Sequence, residues 1–229
     1  MRNSNTAALA WVLGALVIAA PAHAQTEDYV ADGVFTQGIE GPAVDAQGNL
    51  YAVSFAEDGT IGIIDKKDNA QLFVKLPEGS TGNGIRFDRK GQMYVADYTG
   101  HNVLKIDPAT KAVSVHAHPP KMNQPNDIAI ARSGVIYASD PNWAESTGNL
   151  WKVATDGTVT LLEANMGTTN GIEVSADEKH LYVNESVQRR VWKYDIDSKT
   201  GLVSNKRLLI QFADHGMDGM RSDALGNLY

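Results

Sequence analysis

No cysteine occurs anywhere in the 229 residues. That one absence removes thiol nucleophiles, Cys-ligated zinc and disulfide staples together. Basic residues are also few: 20 Lys and Arg stand against 27 Asp and Glu, a net charge of −7. A chain of that balance is a poor partner for nucleic acid or for an anionic membrane surface. No G-x-S-x-G stretch is present, so a serine-hydrolase nucleophile elbow is excluded. Beyond the first two dozen residues no sustained helical period with caps can be found. Long apolar runs are missing too, with one exception at the start of the chain.

That exception is "AALAWVLGALVIAA", preceded by a single Arg2 and followed by Ala22-His23-Ala24. A positive start, a short apolar run and a small-residue cleavage pattern make residues 1–24 an export signal of the Sec type. The expected mature chain begins at Gln25 and carries a net charge of −8, since only Arg2 is lost. The expected destination is periplasmic or secreted, with no membrane attachment after cleavage. A hydrophobic content of 43% is ordinary for a packed globular core, and residues 25–229 are read as one domain.

What is present is a repeat. "EGPAVDAQGNLY" begins at Glu40, "NGIRFDRKGQMY" at Asn83, "NDIAIARSGVIY" at Asn126, "NGIEVSADEKHLY" at Asn170 and "DGMRSDALGNLY" at Asp218. The spacings are 43, 43, 44 and 48, and the first polar residue precedes the Tyr by 11, 11, 11, 12 and 11 positions. Self-similarity at such a period marks propeller blades or helical solenoids. Within the second repeat four short runs, "NGIRF", "QMYVAD", "NVLKID" and "AVSVHA", alternate with turn-rich "DRKG", "YTGH" and "PATK". Four short strands per repeat make a β-propeller blade. "DIDSKTGLVSN" in the fourth repeat fits a longer hairpin. The expected fold is all-β: four complete four-stranded antiparallel blades, a partial fifth and an open ring, cut short at Tyr229. The strand-like "YVADGVFT" before Glu40 is expected to complete the last blade.

In a propeller the first strand of each blade lines the channel, so the five repeat-leading residues should converge at one end. Glu40, Asn83, Asn126, Asn170 and Asp218 offer two carboxylates and three amides. An all-oxygen set suits a hard cation, above all Ca²⁺, at about 2.3–2.6 Å. Zinc is disfavoured by this set, because no His stands at a repeat-leading position. An isolated Asn-Gly or Asp-Gly pair marks a turn. Five polar residues in register, one of them a Glu, point instead to a shared site.

"EGPAVDAQGNLY", "QPNDIAIARSGVIYASDP", "NGIEVSADEKHLYV" and "DGMRSDALGNLY" resemble the gluconolactonase/regucalcin (senescence marker protein) family, from about Gly38 onward. The resemblance implies a six-bladed β-propeller, of which this sequence holds about four and a half blades. It implies a divalent cation, usually Ca²⁺ or Zn²⁺, on Glu40, Asn170 and Asp218, with Asn126 facing the metal or the substrate. Asn83 matches a substrate-side position of some gluconolactonases. It further implies hydrolysis of a small-molecule lactone or related ester, with Asp218 as general base. The expected enzyme is a monomeric lactonase. Two other readings stay open: a non-catalytic propeller that uses calcium for structure while binding a ligand or partner protein, and a phosphotriesterase-like hydrolase.

Four further residues carry expectations. His116 and His118 in "SVHAHPP" share a strand face but have no third ligand, so they are read as structural. His215 lies three residues before Asp218 and is expected near the substrate. Trp143, in "DPNWAESTGN", is expected in a loop that overhangs the same end and covers substrate.

Overall fold

The structure, a computed structural model, describes residues 26–229; the expected export signal lies outside them. There is no helix among the described residues. Sixteen strands form four antiparallel sheets, each in sequence order. The first holds β1 (Ala43–Val44), β2 (Leu50–Val53), β3 (Thr60–Ile64) and β4 (Ala70–Lys75). The second holds β5 (Gly82–Phe87), β6 (Met93–Asp97), β7 (Asn102–Ile106) and β8 (Val113–Ala117). The third holds β9 (Ile128–Ile130), β10 (Ile136–Asn142), β11 (Thr147–Val153) and β12 (Val159–Met166). The fourth holds β13 (Thr169–Val174), β14 (His180–Glu185), β15 (Arg190–Ile196) and β16 (Val203–Gln211). Residues 212–229 begin a fifth unit, with one bridge between Ser222 and Leu228.

Local chemistry sets these boundaries. In the first two sheets, and again in residues 212–229, the turn after the inner segment is closed by an Asp carboxylate that collects backbone N–H groups. Asp45 Oδ1 accepts from Gln47 and Asn49, Asp88 Oδ1 from Lys90 and Gln92, and Asp223 Oδ1 from Leu225 and Asn227, all at 2.8–2.9 Å. That Asx geometry reverses the chain at a fixed register. In the fourth sheet, Asp197 caps the β15–β16 turn through Thr200, which accommodates the extra residues there.

The core lies between sheets rather than within one. Strand β6 is buried on both faces. Met93 and Val95 pack toward the first sheet with Val53, Ile61 and Leu104. Tyr94 and Ala96 pack toward the third with Ile128, Ile136 and Trp151. Ala129, Tyr137 and Leu150 meet Ile172, Leu181 and Tyr194 of the fourth. A strand sandwiched in this way loses its polar face, so its sequence reads as a continuous apolar run. Each fully buried Ile or Leu contributes about 1.5–3 kcal/mol.

"YVADGVFT" differs from expectation: it forms no strand. Asp32 and Gly33 turn, with Gly33 at φ +80°, and only Phe35 makes a β-bridge, to Phe55. The Phe35 and Phe55 rings meet edge-on at 5.5 Å, and Ala56 N–H donates to Val34 O at 3.0 Å. The segment is thereby laid on the first sheet.

The inner strands approach one another closely. A Cβ placed on Gly84 would lie 2.5 Å from Asp127 Oδ1 and 2.9 Å from its Cα. Backbone atoms cannot swing away as a side-chain tip can. Gly84→Ala is therefore expected to lower unfolding free energy by about 1–3 kcal/mol; an unchanged urea midpoint would contradict this packing.

Candidate functional site

Asn83 and Asn170 owe their direction to breaks in the ladder. The β5–β6 register shifts between Gly82 and Ile85, and the β13–β14 register between Thr169 and Ile172. Asn83-Gly84 and Asn170-Gly171 fill those gaps. A bulge bends the strand and re-aims a side chain, so these pairs serve inside strands and not as hairpin turns. Asn126 stands two residues before β9, and Glu40 three before β1.

All five residues line one cavity of about 400 Å³, together with Asp127 and Arg221. Asn126 and Asn170 are 8% and 5% exposed. Asn170 Nδ2 donates to Ser186 Oγ at 3.1 Å, while its Oδ1 is buried with no hydrogen-bond partner. Asn83 Nδ2 donates to Asn126 O at 3.0 Å. Burial, and then the neighbouring charge of Asp218, push the Glu40 carboxyl above its ordinary range; a hydrogen bond from the Gly41 backbone opposes this and Asp127 adds to it.

Two carboxylates that repel within a cavity, beside a buried amide oxygen without a donor, fit a hard cation. Such an ion would give Asn170 Oδ1 the partner it lacks and would relieve the Glu40–Asp218 repulsion. Among the described residues no three His, Cys, Asp or Glu side chains cluster as metal ligands. The residues that could hold an ion here are two carboxylates and neighbouring amides, a set that would suit Ca²⁺ better than a borderline metal.

The structure leaves Trp143 and His215 outside this cavity. β10 continues through Asp140, Pro141 and Asn142, so Trp143 sits in a tight turn before β11, with Ser146 N–H reaching back to Trp143 O. His215 is almost fully solvent-exposed, its Nε2 3.9 Å from Asp214. His116 and His118 occupy or follow the outer strand β8. His116 stacks edge-on against Tyr94 at 5.2 Å, and burial pulls its imidazole below the usual range. His118 Nδ1 lies 2.8 Å from Asn102 Oδ1.

Two groups of residues were missed by the sequence reading. One is an ion cluster at the cavity floor. Arg86 grips Asp127 with both ends, Nη1–Oδ1 at 3.1 Å and Nη2–Oδ2 at 3.2 Å. Arg221 Nη1 reaches the same Oδ2 at 3.3 Å, and Glu173 Oε2 lies 3.7 Å from Arg86. Burial, and then Arg86, pull the Arg221 guanidinium below its usual range, against the pull of Asp127 and Glu173. Arg86, Glu173 and Arg221 all stand three residues after a repeat-leading residue, a charge inside an inner strand that was a readable signal. The other group is Asp97 and Asp140, each fourteen residues after its Asn and fully buried. Asp97 accepts from Ser80 Oγ at 2.8 Å and Thr81 N at 3.2 Å. Asp140 accepts from Asn123 N at 2.9 Å and Gln124 N at 2.6 Å. Both pin the loop that delivers the Asn.

A sequence profile of the SMP-30/gluconolactonase/LRE-like region matches residues 38–229. The gluconolactonase of Zymomonas mobilis is 33% identical over 171 residues, which covers 64% of this chain and 48% of that protein. The chain thus spans about half the length of that relative. Among solved structures, a calcium-binding regucalcin from Agrobacterium tumefaciens superposes with a TM-score of 0.72 at 23% identity, over 86% of this chain and 68% of its own. A gluconolactonase of Xanthomonas campestris gives 0.70 at 20% identity, over 83% and 68%. At those identities the structural likeness speaks for the β-propeller fold.

Proposed function

Because the chain belongs to the SMP-30/gluconolactonase/LRE-like family, we propose that it serves a cation-dependent hydrolase that opens a lactone, of the sugar-lactone class. The observation that carries this reading is the common cavity of Glu40, Asn126, Asn170 and Asp218, with Asn170 Oδ1 buried and unpaired. Those four residues would hold Ca²⁺, with Zn²⁺ the alternative. When bound, the cation polarises the lactone carbonyl and stabilises negative charge on its oxygen.

The chain's own groups do the rest. Asp218 takes a proton from a water molecule whose oxygen adds to the carbonyl carbon. The ring C–O bond then breaks, the departing alkoxide takes the proton back from Asp218, and a hydroxy acid leaves. Asn83, already oriented by Asn126 O, faces the substrate side of the cavity. The protein acts as an exported monomer on a small molecule, without nucleic-acid or membrane partners once residues 1–24 are removed.

Because each turnover releases acid, a pH-stat assay of the full-length protein on a lactone panel tests the reading directly. Turnover is expected, lost on chelation and restored by Ca²⁺. Turnover that survives complete metal removal would overturn the cation dependence. Calcium binding without turnover of any lactone would leave the ion as a structural tie. Hydrolysis of phosphotriesters alone would move the activity to that class.

A further inference from the structure

The fourth sheet departs from the repeat where β14 ends. Two side chains flank Glu185 there: Asn184 and Ser186. At the same repeat offset the other sheets carry Val53 and Phe55, Ala96 and Tyr98, and Ser139 and Pro141. Both Asn184 and Ser186 are buried, and both reach out of their own sheet. Asn184 Nδ2 donates to Asp218 O at 2.6 Å. The Ser186 hydroxyl donates to Met217 O while accepting from Asn170 Nδ2.

We propose that Asn184 and Ser186 form a bracket that sets the orientation of Asn170 and the approach of Asp218, and so governs the cation affinity of the site. This rests on the cation reading above. A carboxamide has a donor end and an acceptor end. Ser186 has spent its one proton on Met217 O, so it can only accept from Asn170. That fixes the nitrogen end of Asn170 and leaves the acceptor oxygen Oδ1 free to ligate a cation. Ser186 is itself held, since its N–H donates to Thr168 O at 2.9 Å and the Val187 N–H donates to Thr168 Oγ1 at 2.9 Å.

The backbone of residues 217–220 can lie this close only because residue 171 has no side chain. A Cβ on Gly171 would sit 2.4 Å from Asp218 O and 2.7 Å from Met220 N. One hydroxyl and one amide thereby join a fourth-sheet ligand to a fifth-repeat ligand. Partners behind metal ligands commonly tune affinity by about 10–100-fold.

The test is calorimetric titration of the metal-free, full-length protein with Ca²⁺ alone. Ser186→Ala is expected to raise Kd about 10–100-fold, and Asn184→Ala to raise it in the same direction. Ser186→Thr keeps the hydroxyl and is expected to restore Kd to within a few-fold of wild type. A bracket that merely supports the fold would lower the melting temperature in chelator and leave Kd unchanged; that result overturns the proposal. If Ser186→Ala does not fold, Asn184→Ala against wild type decides by the same criterion. Wild type that takes up no Ca²⁺ would sink the cation reading and the bracket with it. Wild type and variants of equal Kd would sink the bracket alone.

Discussion

Asp218→Asn is expected to hydrolyse lactone about 10²–10⁴-fold more slowly than wild type, the usual loss when a general base is removed. The substitution keeps the size of the side chain and one carbonyl oxygen, so the cavity shape survives. What disappears is the negative charge and the ability to accept a proton. The same change lowers the repulsion that raises the Glu40 carboxyl, because Asp218 is the leading charge acting on it. Cation affinity also weakens as the donor set loses a charge. The measurement is therefore made at saturating Ca²⁺ in the full-length protein, so that occupancy is not confused with chemistry. A fall in kcat at full occupancy supports the base; wild-type turnover would remove Asp218 from that role.

Asp127→Ala is expected to cost about 3–5 kcal/mol of stability, the range for breaking a buried ion pair from one side. Asp127 is 6% exposed and Arg86 13%, so solvent does little to screen the charges left behind. Without Asp127, Arg86 keeps a 3.7 Å contact to Glu173 and its hydrogen bonds to Ile85 O and Ile172 O, and Arg221 loses its carboxylate partner. The two guanidinium groups, which share Asp127 Oδ2, would then face each other with no carboxylate between them. For a chain of this size the loss corresponds to roughly 6–20 °C in Tm. Asp127→Asn should fall between wild type and Ala, because its amide oxygen still accepts one hydrogen bond. A Tm within a degree or two of wild type would show that the cluster contributes no net stability.

The blades were legible because their signals are local. "NGIRF", "QMYVAD", "NVLKID" and "AVSVHA" became β5 to β8 with ends shifted by a residue or so, since alternation and Asp-led turns act within a few positions. Convergence of Glu40, Asn83, Asn126, Asn170 and Asp218 on one cavity followed from their register. The direction of Asn83 and Asn170 did not, because a bulge is a mismatch with a partner strand and leaves no mark on one strand's own pattern. Trp143 stands in the β10–β11 connection, where the sequence places it, but it is not among the residues that line the cavity. Asp140, which accepts from Trp151 Nε1 at 2.8 Å, lies within β10, so that connection is short. "YVADGVFT" forms no strand because Asp32-Gly33 turns the chain, leaving only the Phe35–Phe55 bridge.

The shared cavity also bears on cooperativity. Repeat arrays are quasi-one-dimensional: each unit leans on its neighbours, and local damage stays local. Glu40 and Asp218 lie near opposite ends of the described chain, yet they line a single cavity. An ion held between them would tie the first repeat to the fifth, and its binding free energy would be shared by the blades in between. Such a closure turns a string of nearest-neighbour contacts into a single melting unit. Withdrawing the ion is then expected to broaden the transition as well as lower its midpoint.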